Sequence, residues 1–251
     1  MSTEQRLAEL HEQVVACRRC PRLVAFREHA AAHPRPAYAG QDYWARPVPG
    51  FGDPAAGVYV LGLATAAHGG NRTGRAFTGN ATADWLVAAL HRAGLADRPT
   101  STAPGDGLRL TGAWMASAVR CAPPQDRPTT AERRECARFL DAELALLTRV
   151  RVIVCLGGSA WNAAVDWAGV RPRPPFGHGR EHPIGGGRTL LASYHPSPQN
   201  TRTGRLTAAM LDAVLDRAAH LAAHRAALPP TAGPGGDPEP ARYGRSPASS
   251  S

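Results

Sequence analysis

Lysine is absent from this chain: every one of its 29 cationic side chains other than histidine is an arginine. That excludes a lysine Schiff base as a covalent intermediate, and it excludes the phosphate-binding lysine of a P-loop. Apolar runs of membrane-spanning length are absent, and the N-terminal MSTEQRLAEL lacks the apolar centre of a signal peptide, so a cytoplasmic protein without membrane association is the expectation. No carboxylate cluster suggests a divalent-metal hydrolase, and no dinucleotide fingerprint occurs. Cysteine is sparse. Five cysteines in a cytoplasmic chain argue for metal binding or reactivity rather than disulfides.

What is present points to an α/β protein. The 251 residues suffice for one α/β domain or two small ones. A formal charge of +9 favours a polyanionic partner such as nucleic acid, although the abundance of Ala, Gly and Pro marks part of the arginine content as compositional. The chain is organised around Leu61–Asn80, LGLATAAHGGNRTGRAFTGN. An apolar run, Val58–Leu61, feeds this glycine-rich stretch, and a helical sequence follows at Ala83–Leu90. Strand, glycine-rich turn and helix place backbone N–H groups around a small polar or anionic group.

Further elements follow in order. A helix is predicted over residues 3–16 and a surface-hugging loop over 31–57, where Tyr43, Trp44 and Phe51 offer either core anchors or a wall for a base. Strands are predicted at Ala113–Val119, Val150–Leu156 and Thr189–Tyr194. Helices are predicted at Thr130–Leu147, opened by a Thr-x-x-Glu signal, at Ser159–Ala168, and from Gly204 to Ala226. Residues 170–188 read as a Pro/Gly-rich connector. The alternation predicts a three-layer α/β/α sandwich around a central, mostly parallel, four-stranded sheet. One domain is expected over residues 1–227, with 228–251 a disordered tail. Ligands of such sheets bind beyond the C-terminal strand ends, where residues 61–80, 120–128 and 194–205 all fall. In the last of these, His195 sits in a proline-stiffened loop rich in hydroxyls and amides.

Cys17-Arg18-Arg19-Cys20-Pro21 is a tight chelating turn, and Cys121 and Cys136 are its candidate partners. Four thiolates suit tetrahedral zinc or an iron–sulfur cluster, and the spacing does not choose between them. Cys155, inside an apolar strand, reads as an inert core residue.

Gly62-Leu63-Ala64, Ala67 through Arg75 and Phe77-Thr78-Gly79 resemble the first motif of the family 5 uracil-DNA glycosylases. Val119-Arg120-Cys121-Ala122-Pro123-Pro124, His195-Pro196-Ser197 with Gln199-Asn200-Thr201, Thr203 through Thr207, and Pro47 through Pro54 extend the likeness over about residues 14–215. The resemblance implies a bacterial, cytoplasmic, nucleoid-associated and monomeric glycosylase that excises uracil, with other deaminated or modified bases as further candidates, from double- or single-stranded DNA. It also implies a 4Fe-4S cluster on Cys17, Cys20, Cys121 and Cys136.

Such chemistry needs an extruded base held in a pocket. Phe77 is the candidate platform, Gly62, Leu63 and Ala64 offer close backbone approach, and His195 is the candidate donor to the departing base, with His68 second. Ser197 and Asn200 are candidates to enter the groove, and Arg72, Arg75, Arg202 and Arg205 to contact phosphates. Departures from the family pattern are Thr65 in place of Pro, Asn80 in place of Asp, and Asp126 in place of Asn. The last two suggest that carboxylate and amide have exchanged places, so that Asp126 supplies the negative charge opposite Asn80. The rival reading is a catalytically weak or silent iron–sulfur protein that recognises flipped bases.

Overall fold

The computed structural model describes residues 1–226, so the predicted tail at 228–251 and the last residue of the predicted domain lie outside the described residues. In chain order the first half comprises α1 (Thr3–Val15), α2 (Pro21–Ala32), β1 (Phe51–Gly52), β2 (Val58–Ala64), α3 (Gly70–Thr73), α4 (Ala81–Arg92) and β3 (Ala113–Val119). The second half comprises α5 (Thr130–Leu146), β4 (Val152–Leu156), α6 (Gly158–Trp167), β5 (Glu181–Ile184), β6 (Arg188–Ser193), α7 (Pro198–Arg202) and α8 (Ala208–Ala226). No described helix is long and apolar enough to cross a membrane.

The sheet runs β1-β3-β2-β4-β6-β5, with the four inner strands parallel and the two outer ones antiparallel. The four-stranded expectation is therefore corrected to six strands among the described residues. Neither extra strand has an apolar pattern of its own: β1 is two residues long, and β5 carries Pro183 inside the segment read as a connector. Each exists because it pairs with a buried neighbour.

The inner strands are buried on both faces, as parallel strands are. Val58, Val60, Met115 and Val154 pack with Leu86 and Leu90 of α4 and Leu211, Val214 and Leu215 of α8. Tyr59, Leu61, Trp114 and Ile153 pack on the other side with Leu7 of α1, Leu140 and Leu144 of α5 and Trp161 of α6. Cys155 lies fully buried in this second layer, and burial raises its thiol well above the ordinary range.

Three α-helices were not foreseen: the short α3 and α7, inside stretches read as a glycine-rich turn and a proline-stiffened loop, and the longer α2. α2 opens with Cys20 at the cap and Pro21 in the first turn, where a missing N–H costs nothing. Its buried stripe is Leu23, Val24, Arg27 and Ala30, and the arginine within it disguises the helical period. α5 begins with the predicted capping box, Thr129 and Glu132 exchanging side-chain and backbone bonds.

Candidate functional site

The C-terminal ends of β2, β4 and β6 open into a cavity of about 540 Å³. The glycine-rich loop after β2, the loop after β3 and the loop after β6 all reach it, contributing Leu63, Ala64, Phe77, Asn80, Asp126, His195, Ser197, Asn200 and Arg205. Gly62 stands behind this wall. A Cβ there would meet Phe77 Cζ at 2.8 Å, so the ring of Phe77 lies directly on the Gly62 backbone. Phe77 itself has φ 48°, a left-handed conformation costly for a bulky residue, and Asp126 with its neighbour Gln125 share it at φ 56° and 55°. Strained backbone of this kind concentrates at binding sites.

His195 follows β6, and Gly157, at φ 88°, makes room for it: a Cβ on Gly157 would stand 3.2 Å from His195 Cβ. Asn200 Nδ2 donates to the His195 carbonyl at 2.9 Å, and Ser197 caps α7, which fixes the loop. Among the described residues the His195 imidazole has no hydrogen-bond partner, so its nitrogens are available to a ligand. Desolvation by burial holds its pKa below the ordinary value, with the Asp126 carboxylate opposing. The ring is therefore neutral at physiological pH.

Asn80 caps α4: its Oδ1 accepts from Ala83 N at 2.9 Å, and the absence of a Cβ on Gly69 leaves space for its Nδ2. Asp126 and Asn80 thus border the same cavity, the geometry that an exchange of carboxylate and amide requires. His68 does not line the cavity. It bonds Tyr43 Oη through Nδ1 at 2.9 Å and stacks against Tyr38, which makes it a rim residue rather than a base contact.

The arginines divide. Arg75 is buried, forks onto Asp106 at 3.0 and 2.7 Å and reaches Thr78 and Ser101, so it braces the glycine-rich loop and is withdrawn as a phosphate contact. Desolvation would raise the Asp106 carboxyl, but Arg75 and three backbone N–H groups outweigh it and hold the pKa far below the usual range. Arg72 is similarly committed, to Gln41, to the carbonyls of His68 and Gly79, and to the face of Tyr38. Arg202, at the end of α7, and Arg205 are both exposed; Arg205 lines the cavity and lies 4.9 Å over the Tyr194 ring.

Sequence reasoning missed Phe176 and Tyr194, which close one side of the cavity, and Gly157, Gly158 and Ser159 at the start of α6. The signal for the latter was present, since Gly157-Gly158 follows directly on a parallel strand.

Cys17, Cys20, Cys121 and Cys136 ring a narrow hollow between α1, α2, the end of β3 and α5. They do not close on one point: among the described residues no three cysteine, histidine or carboxylate side chains are gathered tightly enough to hold a single ion. Three of the sulfurs face donors. Arg27 Nη1 lies 3.0 Å from Cys121 Sγ, Arg120 N 3.3 Å from Cys136 Sγ and Arg138 Nη2 3.4 Å from Cys17 Sγ. Burial raises the Cys121 thiol to about 11 and that of Cys136 to about 12. Metal ligation reverses such shifts by releasing the protons, and N–H donors directed at sulfur suit the resulting thiolates.

The profile of the uracil DNA glycosylase superfamily matches residues 49–219. The chain belongs to this superfamily. The uracil DNA glycosylase match encloses all three loops of the cavity. A type-5 uracil-DNA glycosylase of Thermus thermophilus is 54% identical over 200 residues, covering 79% of this chain and 90% of that protein. One of Mycobacterium tuberculosis is 50% identical over 209 residues, 82% of this chain and 78% of that protein. One of Pyrobaculum aerophilum is 47% identical over 199 residues, 79% of this chain and 86% of that protein.

Two tests arise from this uracil DNA glycosylase site. Arg205→Ala is expected to lower the slope of log affinity against log salt for duplex DNA by about one, as loss of a phosphate contact does. Arg75→Ala should instead destabilise the fold and leave that slope unchanged; equal slopes in Arg205→Ala and the parent would remove Arg205 from the phosphate contacts. The second test concerns pH. His11, His68, His178 and His195 all titrate below their ordinary value, chiefly through burial. The unfolded chain binds these protons more readily, so stability is full above about pH 6.5 and declines as the pH falls through it. Tm should fall between about pH 7.5 and 5.5, less steeply in His195→Asn. A Tm rising on acidification would contradict the burial of these rings.

Proposed function

We propose that this protein hydrolyses the N-glycosidic bond of uracil in DNA, releasing the base and leaving an abasic site for base-excision repair. The observation that carries the reading is the enclosure of Phe77, Asp126 and His195 in one cavity at the C-terminal edge of a parallel sheet. A base extruded from the duplex lies against Phe77, with the backbone of Leu63 and Ala64 along its edge. As the bond breaks, negative charge gathers on the uracil oxygen and the sugar becomes cationic. Neutral His195 donates a hydrogen bond to that oxygen, where a pre-positioned donor acts most strongly. Asp126 supplies the carboxylate facing the sugar cation and the attacking water. Asn80, its carbonyl engaged in the cap of α4, orients the water or the base through its N–H groups. Ser197 and Asn200 stiffen the loop that enters the groove, and Arg202 and Arg205 take phosphates.

The four cysteines hold a 4Fe-4S cluster in this reading. The N–H donors behind three of the sulfurs suit the thiolates that such a centre requires, and the choice of iron–sulfur over zinc follows the resemblance to the family. When bound, the cluster supplies a rigid anchor among three segments of chain: the turn between α1 and α2, the loop after β3, and α5.

The reading is tested on a duplex carrying one uracil, incubated with the protein and then with alkali. Cleavage only after alkali is expected, since a chain without lysine lacks the usual amine for strand scission. Binding to the same duplex without base release would favour the rival reading of a silent protein that recognises flipped bases, which the amide at Asn80 suggests.

A further inference from the structure

The four-cysteine hollow and the base cavity are separate spaces, yet two bridges of buried residues join them. In the first, Arg27 Nη1 donates to Cys121 Sγ at 3.0 Å, while the carbonyl of the same Arg27 accepts from Asn71 Nδ2 at 3.2 Å. Asn71 belongs to α3, beside Gly70 in the cavity wall. In the second, Arg120 N donates to Cys136 Sγ at 3.3 Å, and the carbonyl of Arg120 accepts from Thr65 Oγ1 at 3.0 Å. Thr65 is itself part of the cavity wall. Both bridges have one design: cysteine sulfur, arginine, residue of the glycine-rich loop. All four connecting residues are buried, between 0% and 5% exposed.

Charge gives the first bridge its force. Arg27 is 1% exposed, and among the described residues no carboxylate lies within ion-pair distance of it. A buried guanidinium without a counter-charge is strongly disfavoured. The sulfur it faces becomes anionic when it ligates a metal. With a cluster in place Arg27 gains the partner it otherwise lacks, and α2 is held by it. Without one, a buried cation faces a neutral thiol, and its displacement takes the Asn71 contact with it.

We infer that Thr65 and Asn71 are positioning residues through which the cysteine-bound cluster sets the shape of the base-binding loop. The inference rests on the assignment of a 4Fe-4S cluster to these cysteines. Neither residue acts on the substrate in this role; each transmits the constraint of a distant anchor. Such coupling is reciprocal. If an ordered cluster holds the loop in its binding shape, then DNA seated in the cavity must hold the cluster more firmly.

The test uses the purified holoprotein and a duplex carrying a non-cleavable abasic-site analogue. Bleaching of the brown iron–sulfur absorbance by an iron chelator is followed with and without saturating duplex. In the parent, the duplex is expected to slow bleaching by at least about fivefold, the lower end of ordinary allosteric coupling. The double variant Thr65→Val, Asn71→Leu, at matched iron content and with saturation by DNA verified directly, is expected to lose most of that protection. Thr65→Ser, which keeps the hydroxyl, should retain it. Full protection in the double variant, or none in the DNA-saturated parent, would overturn the inference while leaving the cluster in place. A colourless protein that still releases uracil would remove the cluster assignment, and the coupling with it.

Discussion

Asp126→Asn is expected to lower uracil release by about 10³-fold, the upper end of what loss of one pre-positioned electrostatic group costs. Asn80→Ala should cost far less. The contrast follows from what each side chain already does. Asn80 is committed to the first turn of α4, where its carbonyl accepts from Ala83 N. Among the described residues the Asp126 carboxylate accepts no such bond; it stands on a left-handed turn at the cavity edge, and its charge bears on His195 and on His68. An amide in its place cannot offset positive charge on the sugar. The double variant Asn80→Asp, Asp126→Asn returns a carboxylate to the opposite wall, and aspartate caps a helix as well as asparagine does. It should recover much of the lost rate in single-turnover excision. Undiminished activity in Asp126→Ala, together with abolition in Asn80→Ala, would sink this assignment.

Glu143→Leu is expected to destabilise the fold by about 3–5 kcal/mol, the range for breaking a buried ion pair on one side. Glu143 is fully buried and satisfies three groups: Tyr59 Oη donates to it at 2.6 Å, Arg120 Nη2 at 2.8 Å and Gly50 N at 3.1 Å. Its removal strands the Arg120 charge, whose Nε and Nη1 already have no partner among the described residues. At about 2–4 °C per kcal/mol for a domain of this size, Tm should drop by roughly 10 °C. Arg120→Met together with Glu143→Leu should regain much of the loss, because an apolar pair leaves no isolated charge. Denaturant midpoints of the parent, the single and the double variant decide it: an unchanged midpoint in Glu143→Leu would show that the network contributes little.

The sequence disclosed those parts of the fold whose pattern comes from burial. The four inner strands are largely apolar and almost wholly buried, and α5 announces itself by its capping box. The elements it concealed have other causes. β1 and β5 are drawn into the sheet by β3 and β6, and α2 buries an arginine where a helical stripe would carry leucine. The site divides in the same way. Phe77, Asn80, Asp126 and His195 stand out because loops rich in glycine or proline present them. Whether a nearby arginine is surface or brace depends on its partner, and Asp106, opposite Arg75, lies 31 residues farther along the chain. Phe176 lay in a segment without periodicity, so nothing local marked it.

The outer strands carry a consequence for how this protein behaves in a crowded cell. A long unpaired margin invites another chain to dock by main-chain hydrogen bonding, the first step toward fibrous aggregates. Here one margin ends after only two residues, and the other contains Pro183, which has no amide hydrogen to offer. Both flanks of the sheet are therefore poor templates for growth.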